Sequence, residues 1–369
     1  MDLTVGVGPP RSALPADLAV GLPLVKAGLL YGDHVTLCSP AAGLLLRLRD
    51  HDPPGVRARL AVLAGLADDL GLDDGPARLA RVLDSRRVDH AVARATVDGW
   101  WRRYRRALDE AVAWSGLDEL APAVDVGRLT VETLGVGEVA RPSDYAEAAA
   151  ETYAAAVAEA VVSGQTTPLL DGPTAEGVRH AAAAGRIGVS EPRAHRARDG
   201  GLAAHVLQRL PLFDRATVAE VLDIRADLDG PLAHFRAAVD AFAAEVAAAA
   251  WDADFAVEAD RVYHVRVAPA VAEVEDAVAS VGYLRELVTR YAERPRQFVP
   301  LAAPALTVAL AAPDALAQTV AASLAGLSVA ANAAQAAWAV ADARRDAQAR
   351  RLFFVYAVGR RLEGRDLWR

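Results

Sequence analysis

The feature that most constrains the fold is an Ala-rich tract from Gln297 to Ala341, in which Asp314 is the only charged side chain. Prolines interrupt its first part, so the sequence predicts one continuous helix over Ala315–Ala341. At about 1.5 Å per residue this helix is about 40 Å long, which is enough to cross a bilayer. Protein or lipid must therefore cover the tract.

The composition of this helix favours protein over lipid as its neighbour. Alanine gives a weak drive for membrane insertion, and polar side chains such as Gln318 and Asn332 would need partners in hydrocarbon. The larger apolar side chains fall on one stripe, which is typical of a helix docked through one face. We expect an interior or intersubunit interface; a membrane-inserting segment flanked by arginines 344, 345, 350 and 351 is the alternative. The expected interface residues are Leu316, Val320, Leu324, Leu327 and Trp338.

Composition points to a helix-rich bacterial protein. Apolar residues make up 53% of the 369 residues and charged residues 24%, so a substantial core is expected. One lysine and one methionine beside abundant Arg, Ala, Val and Leu are typical of a GC-rich bacterial genome. The net charge of −8 disfavours binding of DNA or anionic lipid over the whole surface. No secretory signal is visible at the N-terminus, so we expect a cytoplasmic protein.

The beginning of the chain predicts a small βαβ unit. Leu3–Val7 and His34–Cys38 have strand patterns, and the helical stretch Asp17–Leu30 between them is long enough for a parallel crossover. Leu129–Thr133 and Arg186–Ser190 are candidates for further strands of this sheet. Helical patterns dominate the rest, so the expected fold is mainly α, a helical bundle with a small N-terminal α/β element.

The second half is predicted to be a helical bundle of its own. Gly185–Gly201, with Pro192 and several arginines, has the composition of a loop or linker, so we place domains at 1–190 and 202–369. Thr217 and Glu220 have the spacing of a capping box. Pro269 marks a kink or a fresh helix start in an apolar helical face that runs from Tyr263 to Val278.

Three short motifs near the N-terminus have the residue types of a site. Gly6-Val7-Gly8 resembles a phosphate-binding turn, but the two prolines that follow lack N–H groups, so a strand-ending loop is favoured. Cys38 and Ser39 are expected at the carboxyl end of a strand, with a buried structural thiol favoured over a nucleophile. Asp50-His51-Asp52 are adjacent, which is a poor arrangement for one metal ion. We expect no catalytic residue, metal or cofactor.

A basic stretch from Arg78 to Arg106 contains nine arginines and three aspartates. Trp100, Trp101 and Tyr104 interleave with its last arginines, a combination that can stack on bases and contact phosphates. The favoured alternative is an amphipathic helix whose aromatic rings lie in the core. The candidate nucleic-acid contacts are Arg102, Arg103, Arg105 and Arg106.

Leu210 to Arg236 includes the string TVAEVLDIRADLDGPLAHFR, and Leu29 to Pro40 reads LLYGDHVTLCSP. Together these segments resemble a pattern in uncharacterised actinobacterial proteins. The resemblance covers about a tenth of the chain, implies no activity and assigns no functional residue.

These observations favour a non-enzymatic cytoplasmic protein that acts through helix-mediated association, with itself or with another helical protein. A membrane-active effector or defence protein that uses the tract 297–341 is the first alternative. Nucleic-acid binding through Arg78–Arg106 is the second, and an enzyme built on the small sheet ranks last.

Overall fold

A computed structural model describes residues 1–8, 17–67, 70–83, 89–132, 134, 142–279 and 340–365. It contains a four-stranded parallel sheet in the order β3-β2-β1-β4 and is otherwise mainly helical, which confirms the predicted fold class. The strands are β1 (Asp2–Gly6), β2 (His34–Cys38), β3 (Leu129–Glu132) and β4 (Thr167–Leu170).

The α-helices lie between and after these strands, and several begin at a capping side chain or a first-turn proline. The first nine are α1 (Asp17–Tyr31), α2 (Pro40–Asp50), α3 (Gly55–Gly65), α4 (Gly75–Val82), α5 (His90–Ser115), α6 (Ala121–Asp125), α7 (Pro142–Ser163), α8 (Gly172–Ala183) and α9 (Glu191–Gln208). The next are α10 (Val218–Asp227), α11 (Asp229–Ala243), α12 (Phe255–Val262), α13 (268–279), α14 (340–349) and α15 (Phe353–Leu362).

Helices cover both faces of the sheet. Glycines in α1 and α9 allow close approach on one face: a Cβ at Gly21 would lie 2.6 Å from Val7 Cγ2, and one at Gly200 would lie 2.6 Å from Thr167 Cγ2. On the other face, α7 packs Tyr153 and Val157 into a buried cluster that includes Cys38. The sheet is therefore the middle layer of an α/β/α arrangement.

The fourth strand is not where the sequence placed it. Arg186–Ser190 is not a strand, and residues 167–170 pair with β1 instead. Pro168 made this segment a poor strand candidate, but β4 pairs with β1 alone among the described strands, so its other side does not need the missing N–H.

Most of the predicted linker is helix. Glu191–Gln208 forms α9 because Pro192 lies in the first turn, where its missing N–H costs nothing. Gly200 and Gly201 lie inside this helix because close packing excludes a side chain: a Cβ at Gly201 would lie 2.9 Å from Phe255 Cζ. The division into domains 1–190 and 202–369 stays a prediction, and this helix spans it.

The chain divides into two compact units, each made of separate segments. The first contains Met1–Arg209, Asp214–Ala226 and Phe242–Asp260, and therefore the whole sheet. The second contains Leu210–Phe213, Asp227–Ala241 and the described part of 261–365.

The second unit has an aromatic core. Phe235 of α11 stacks on Phe354 of α15 with ring centroids 5.3 Å apart, and both side chains are fully buried. Arg361 forms an ion pair with Asp227.

The capping box predicted in the second half is confirmed. Thr217 and Glu220 form the capping box: the Thr217 N–H donates to Glu220 Oε2 at 2.8 Å, and the Glu220 N–H donates to Thr217 Oγ1 at 3.2 Å. Near Pro269, which lacks an N–H, a π turn over Tyr263–Val267 leads directly into α13, and the kink or fresh helix start expected at this proline stays a prediction.

Candidate functional site

The carboxyl ends of the strands meet at one edge of the sheet. Gly6 pairs in register with Cys38 on one side and with Leu170 on the other. The chain leaves β1 toward β2 and returns to its other side as β4, so β1 and β4 border the switch point at which open α/β sheets bind ligands. The predicted parallel pairing of β1 and β2, and the place of Cys38 at this edge, are confirmed.

The Asp171 carboxylate accepts hydrogen bonds from two backbone N–H groups at this switch point. Its Oδ2 accepts the Gly8 N–H at 2.9 Å, and its Oδ1 accepts the Thr174 N–H at 2.9 Å in the first turn of α8. A Cβ at Gly8 would lie 3.3 Å from Thr174 Oγ1, so the turn after β1 packs directly on α8. A bound phosphate would have to displace this carboxylate, and the geometry agrees with a strand-ending turn.

Ser39 caps the start of α2 as Asp171 caps the start of α8. Its Oγ accepts the Ala42 N–H at 3.3 Å, and the side chain is fully buried. Pro40 follows at the first helical position and has no N–H to offer an anion. The Ser39 hydroxyl therefore stabilises the helix end from inside the protein.

Tyr153 joins α7 to α8 beneath this edge. Its hydroxyl hydrogen-bonds to Thr174 Oγ1, and the phenol is buried. Burial raises the pKa of Tyr153 well above its usual range; the hydrogen bond to Thr174 lowers it, and the charges of Asp171 and Cys38 raise it further. The phenol is therefore protonated at neutral pH and serves as a buried hydrogen-bonding group.

Cys38 lies in the same buried cluster. Burial raises the pKa of its thiol to about 11, with a second contribution from the Glu132 carboxylate on the neighbouring strand. A thiol with this pKa is almost entirely protonated at neutral pH and is a poor nucleophile. This environment agrees with the predicted structural cysteine.

The basic stretch separates into a buried and an exposed side. Trp101 and Tyr104 are buried, with 6% and 3% of their surface exposed, and the Tyr104 hydroxyl donates to the Leu48 carbonyl. The guanidinium of Arg59 lies over the Trp101 ring, 5.2 Å from its centroid. These two rings are not available to stack on bases, whereas Trp100 is half-buried, and nucleic-acid binding through this stretch stays a prediction.

The four predicted nucleic-acid contacts do not share one environment. Arg102, Arg103 and Arg106 are exposed on α5. Arg105 is half-buried, and its Nη1 donates to the Arg49 carbonyl at 2.8 Å. Arg105 therefore has a partner inside the protein, whereas the other three point to solvent.

The acidic residues around His51 pair with arginines. Asp52 accepts from Arg59 Nη2 at 3.2 Å, and Asp50 lies 3.6 Å from Arg49 Nε. Within the ranges that the structure describes, no three His, Cys, Asp or Glu side chains are grouped as metal ligands.

All five predicted interface residues of the Ala-rich tract lie outside the described residues. The tract is bounded by described helices of the second unit: α13 ends the described chain at residue 279, and α14 resumes it at 340. Arg350, just after α14, donates from Nη1 to the Glu273 carbonyl of α13 at 3.4 Å. Of the helices described, none is both long and apolar enough to cross a bilayer.

Two groups of residues escaped sequence reasoning. Asp171 and Thr174 could have been found from the string Asp-Gly-Pro-Thr, which is typical of a capped helix start with proline in the first turn. Lys26, the one lysine of the chain, carried no sequence signal. It is buried on α1, with Nζ 2.9 Å from Glu119 Oε1 and 3.3 Å from the Asp214 carbonyl oxygen.

Comparison with known proteins adds no functional assignment: the chain matches no family model, no curated protein and no solved structure.

Proposed function

We propose that the protein is a non-enzymatic cytoplasmic protein that acts by helix-mediated association with itself, through the Ala-rich tract 297–341. One observation carries the proposal: 45 consecutive residues contain one charged side chain, Asp314. The solvent-exposed faces of a helix normally carry charged side chains, so faces that are small and uncharged are expected to be covered. These faces are covered when tracts of two or more chains pack together.

The surroundings of the tract support an association segment. Arg350, just after α14, donates to the Glu273 carbonyl of α13, so the described segments before and after the tract contact each other within the second unit. The polar groups at the carboxyl edge of the sheet bind one another, which favours a structural role there over catalysis.

Size-exclusion chromatography with light scattering tests the proposal. We expect the wild-type chain to be an oligomer and Leu324→Asp to dissociate it, because the new charge lies in the predicted stripe. Val257→Asp is the matched control, since Val257 on α12 is 71% exposed and tolerates a charge. Circular dichroism checks that both variants keep their helix content. A wild-type monomer at every concentration, or a Leu324→Asp variant that associates like the wild type, contradicts the proposal.

A membrane-active effector or defence protein is the second candidate. It is favoured by Arg345, Arg350 and Arg351, three exposed cations just after the tract. Flotation with vesicles of anionic phospholipid, compared with zwitterionic vesicles, tests this role. Binding that Leu324→Asp abolishes and Val257→Asp preserves would support it, and wild-type protein that stays unbound at neutral and acidic pH would exclude it.

A further inference from the structure

Exposed arginines are concentrated on two helices of the first unit, α4 and α5. The exposed arginines on α4 and α5 form no ion pair within the part of the chain that the structure describes. We call the exposed arginines of α4 and of the solvent side of α5 the basic face; they are Arg78, Arg81, Arg102, Arg103 and Arg106. Since the whole chain carries −8, this segregation leaves a more negative remainder.

Acidic residues of this region offset part of that charge: Asp73 and Asp74 are exposed just before α4, and Glu110 lies one turn after Arg106 on α5. Asp98 pairs with Arg59 of α3, whose Nη1 lies 3.2 Å from Asp98 Oδ1. Asp89 caps α5, where it accepts the N–H groups of Ala91 and Val92. Asp109 and Glu110 are exposed, and they bound the basic face on its C-terminal side.

The start of α4 lies against the middle of α5. A Cβ at Gly75, the first residue of α4, would lie 3.3 Å from Trp100 Cζ2 on α5. Just before α4, a Cβ at Gly71 would lie 3.5 Å from Arg103 Nη2. On α5, Arg102, Arg103 and Arg106 lie within about 100° of one another around the helix axis, on the side opposite the buried stripe. These three arginines therefore lie on one exposed side of α5, which suits a polyanion.

The residue types on and around the basic face favour some polyanions over others. Single-strand binders stack bases on exposed aromatic rings, whereas Trp101 and Tyr104 are buried here and Trp100 is half-buried against the start of α4. The exposed Trp114 lies beyond Asp109 and Glu110. Residues 75–115 contain no Asn or Gln for reading adenine edges. The apolar side of α5 is buried, so the helix has no free face to insert into a lipid surface.

We propose that the basic face binds the phosphate backbone of double-stranded nucleic acid without reading its sequence. A duplex carries about one negative charge per 1.7 Å of its axis, a density that matches a row of arginines and rewards contact by releasing counterions. This role is independent of self-association, because it depends on α4 and α5 alone.

Fluorescence anisotropy with a labelled random-sequence DNA duplex tests the proposal. We expect binding at low salt that weakens steeply as salt rises, with a log–log slope of about −4 for four to five phosphate contacts. The triple variant Arg102→Gln, Arg103→Gln, Arg106→Gln should lose roughly three from the magnitude of that slope and therefore bind at least about a hundredfold more weakly at low salt. The matched control removes three exposed arginines elsewhere, Arg186→Gln, Arg261→Gln and Arg345→Gln, and should bind as the wild type does.

Four outcomes overturn the proposal. They are no duplex binding at low salt, equal loss in the two triple variants, tighter binding to a single strand than to the duplex, and capture by anionic vesicles without duplex binding. Because self-association is measured separately by light scattering, failure of one role does not imply failure of the other.

Discussion

The carboxyl edge of the sheet and the basic face of α4 and α5 both concentrate polar groups, but the two regions treat them in opposite ways. At the sheet edge, Asp171, Ser39 and Tyr153 each bind another group of the same protein. On the basic face, the side chains of Arg102 and Arg106 point to solvent with no ion-pair partner among the described residues. The first region lies where open α/β sheets usually bind ligands, and the second does not.

The difference teaches that position in a fold does not by itself indicate a binding site. A polar group whose hydrogen bonds are satisfied inside the protein contributes to stability, and a ligand must first break those bonds. An exposed charge without a partner contributes little to stability and remains free to meet another molecule. Substitutions in the two regions should therefore change different measured quantities.

Removing the carboxylate at the sheet edge should have the largest effect on stability. Asp171→Ala leaves the Gly8 and Thr174 N–H groups without their acceptor, and we expect the free energy of unfolding to fall by about 2–4 kcal/mol. Asp171→Asn keeps one amide oxygen and should lose about half as much. Urea denaturation measures both values, and an Asp171→Ala variant as stable as the wild type would remove the distinction between the two regions.

Close packing on the sheet should have the next largest effect. Gly200→Ala places a Cβ 2.6 Å from Thr167 Cγ2, so the free energy of unfolding should fall by about 1–3 kcal/mol although alanine favours helix. Gly177→Ala on α8 is the matched control, because no atom lies within 4 Å of its Cβ position, and it should gain up to about 1 kcal/mol. Thermal unfolding followed by circular dichroism distinguishes the two signs. Equal changes in melting temperature for the two variants would show that the packing of α9 on the sheet does not require a glycine at position 200.

The buried thiol should make stability depend on alkaline pH. The pKa of Cys38 is raised from 9.0 to about 11, so the unfolded chain loses this proton at lower pH than the folded protein. Stability is therefore undiminished below pH 9 and should fall by about 1 kcal/mol between pH 9 and 10. Urea titrations of the wild type and Cys38→Ala at both pH values isolate this contribution. The variant should show the smaller fall, and identical falls would place the thiol in contact with water.

Neutralising the basic face should have the smallest effect on folding. The triple variant of Arg102, Arg103 and Arg106 should unfold within about 0.5 kcal/mol of the wild type, because exposed charges without partners contribute little. Urea denaturation at low and high salt measures this. A loss above about 1 kcal/mol would show that these arginines stabilise the fold, and it would erase the contrast with the sheet edge.

Local sequence signals predicted the parts of the fold that local interactions determine. The strands β1, β2 and β3 and the capping box at Thr217 followed from alternation, turn residues and spacing. The strand β4 and the helix α9 were missed because Pro168 and Gly200 break the usual propensities. Their conformations depend on an unpaired strand side and on close packing, which are tertiary properties that one sequence does not display.

The candidate site was predicted in part for the same reason. The position of Cys38 at the carboxyl end of a strand followed from the βαβ pattern. Asp171 was missed because its partner Gly8 lies 163 residues away in sequence. The environments of Trp101 and Arg105 required the structure, since the sequence was compatible with rings packed inside or stacked on a ligand.

The strand order has a consequence for how the protein is made. Residues 2–6 pair with 34–38 early in the chain, but their other partner, 167–170, is synthesised more than 160 residues later. At typical translation speeds that delay is on the order of ten seconds, during which one side of β1 has unpaired N–H and C=O groups. An open, apolar strand edge invites pairing with another chain, and the nascent protein must therefore keep it covered until β4 leaves the ribosome.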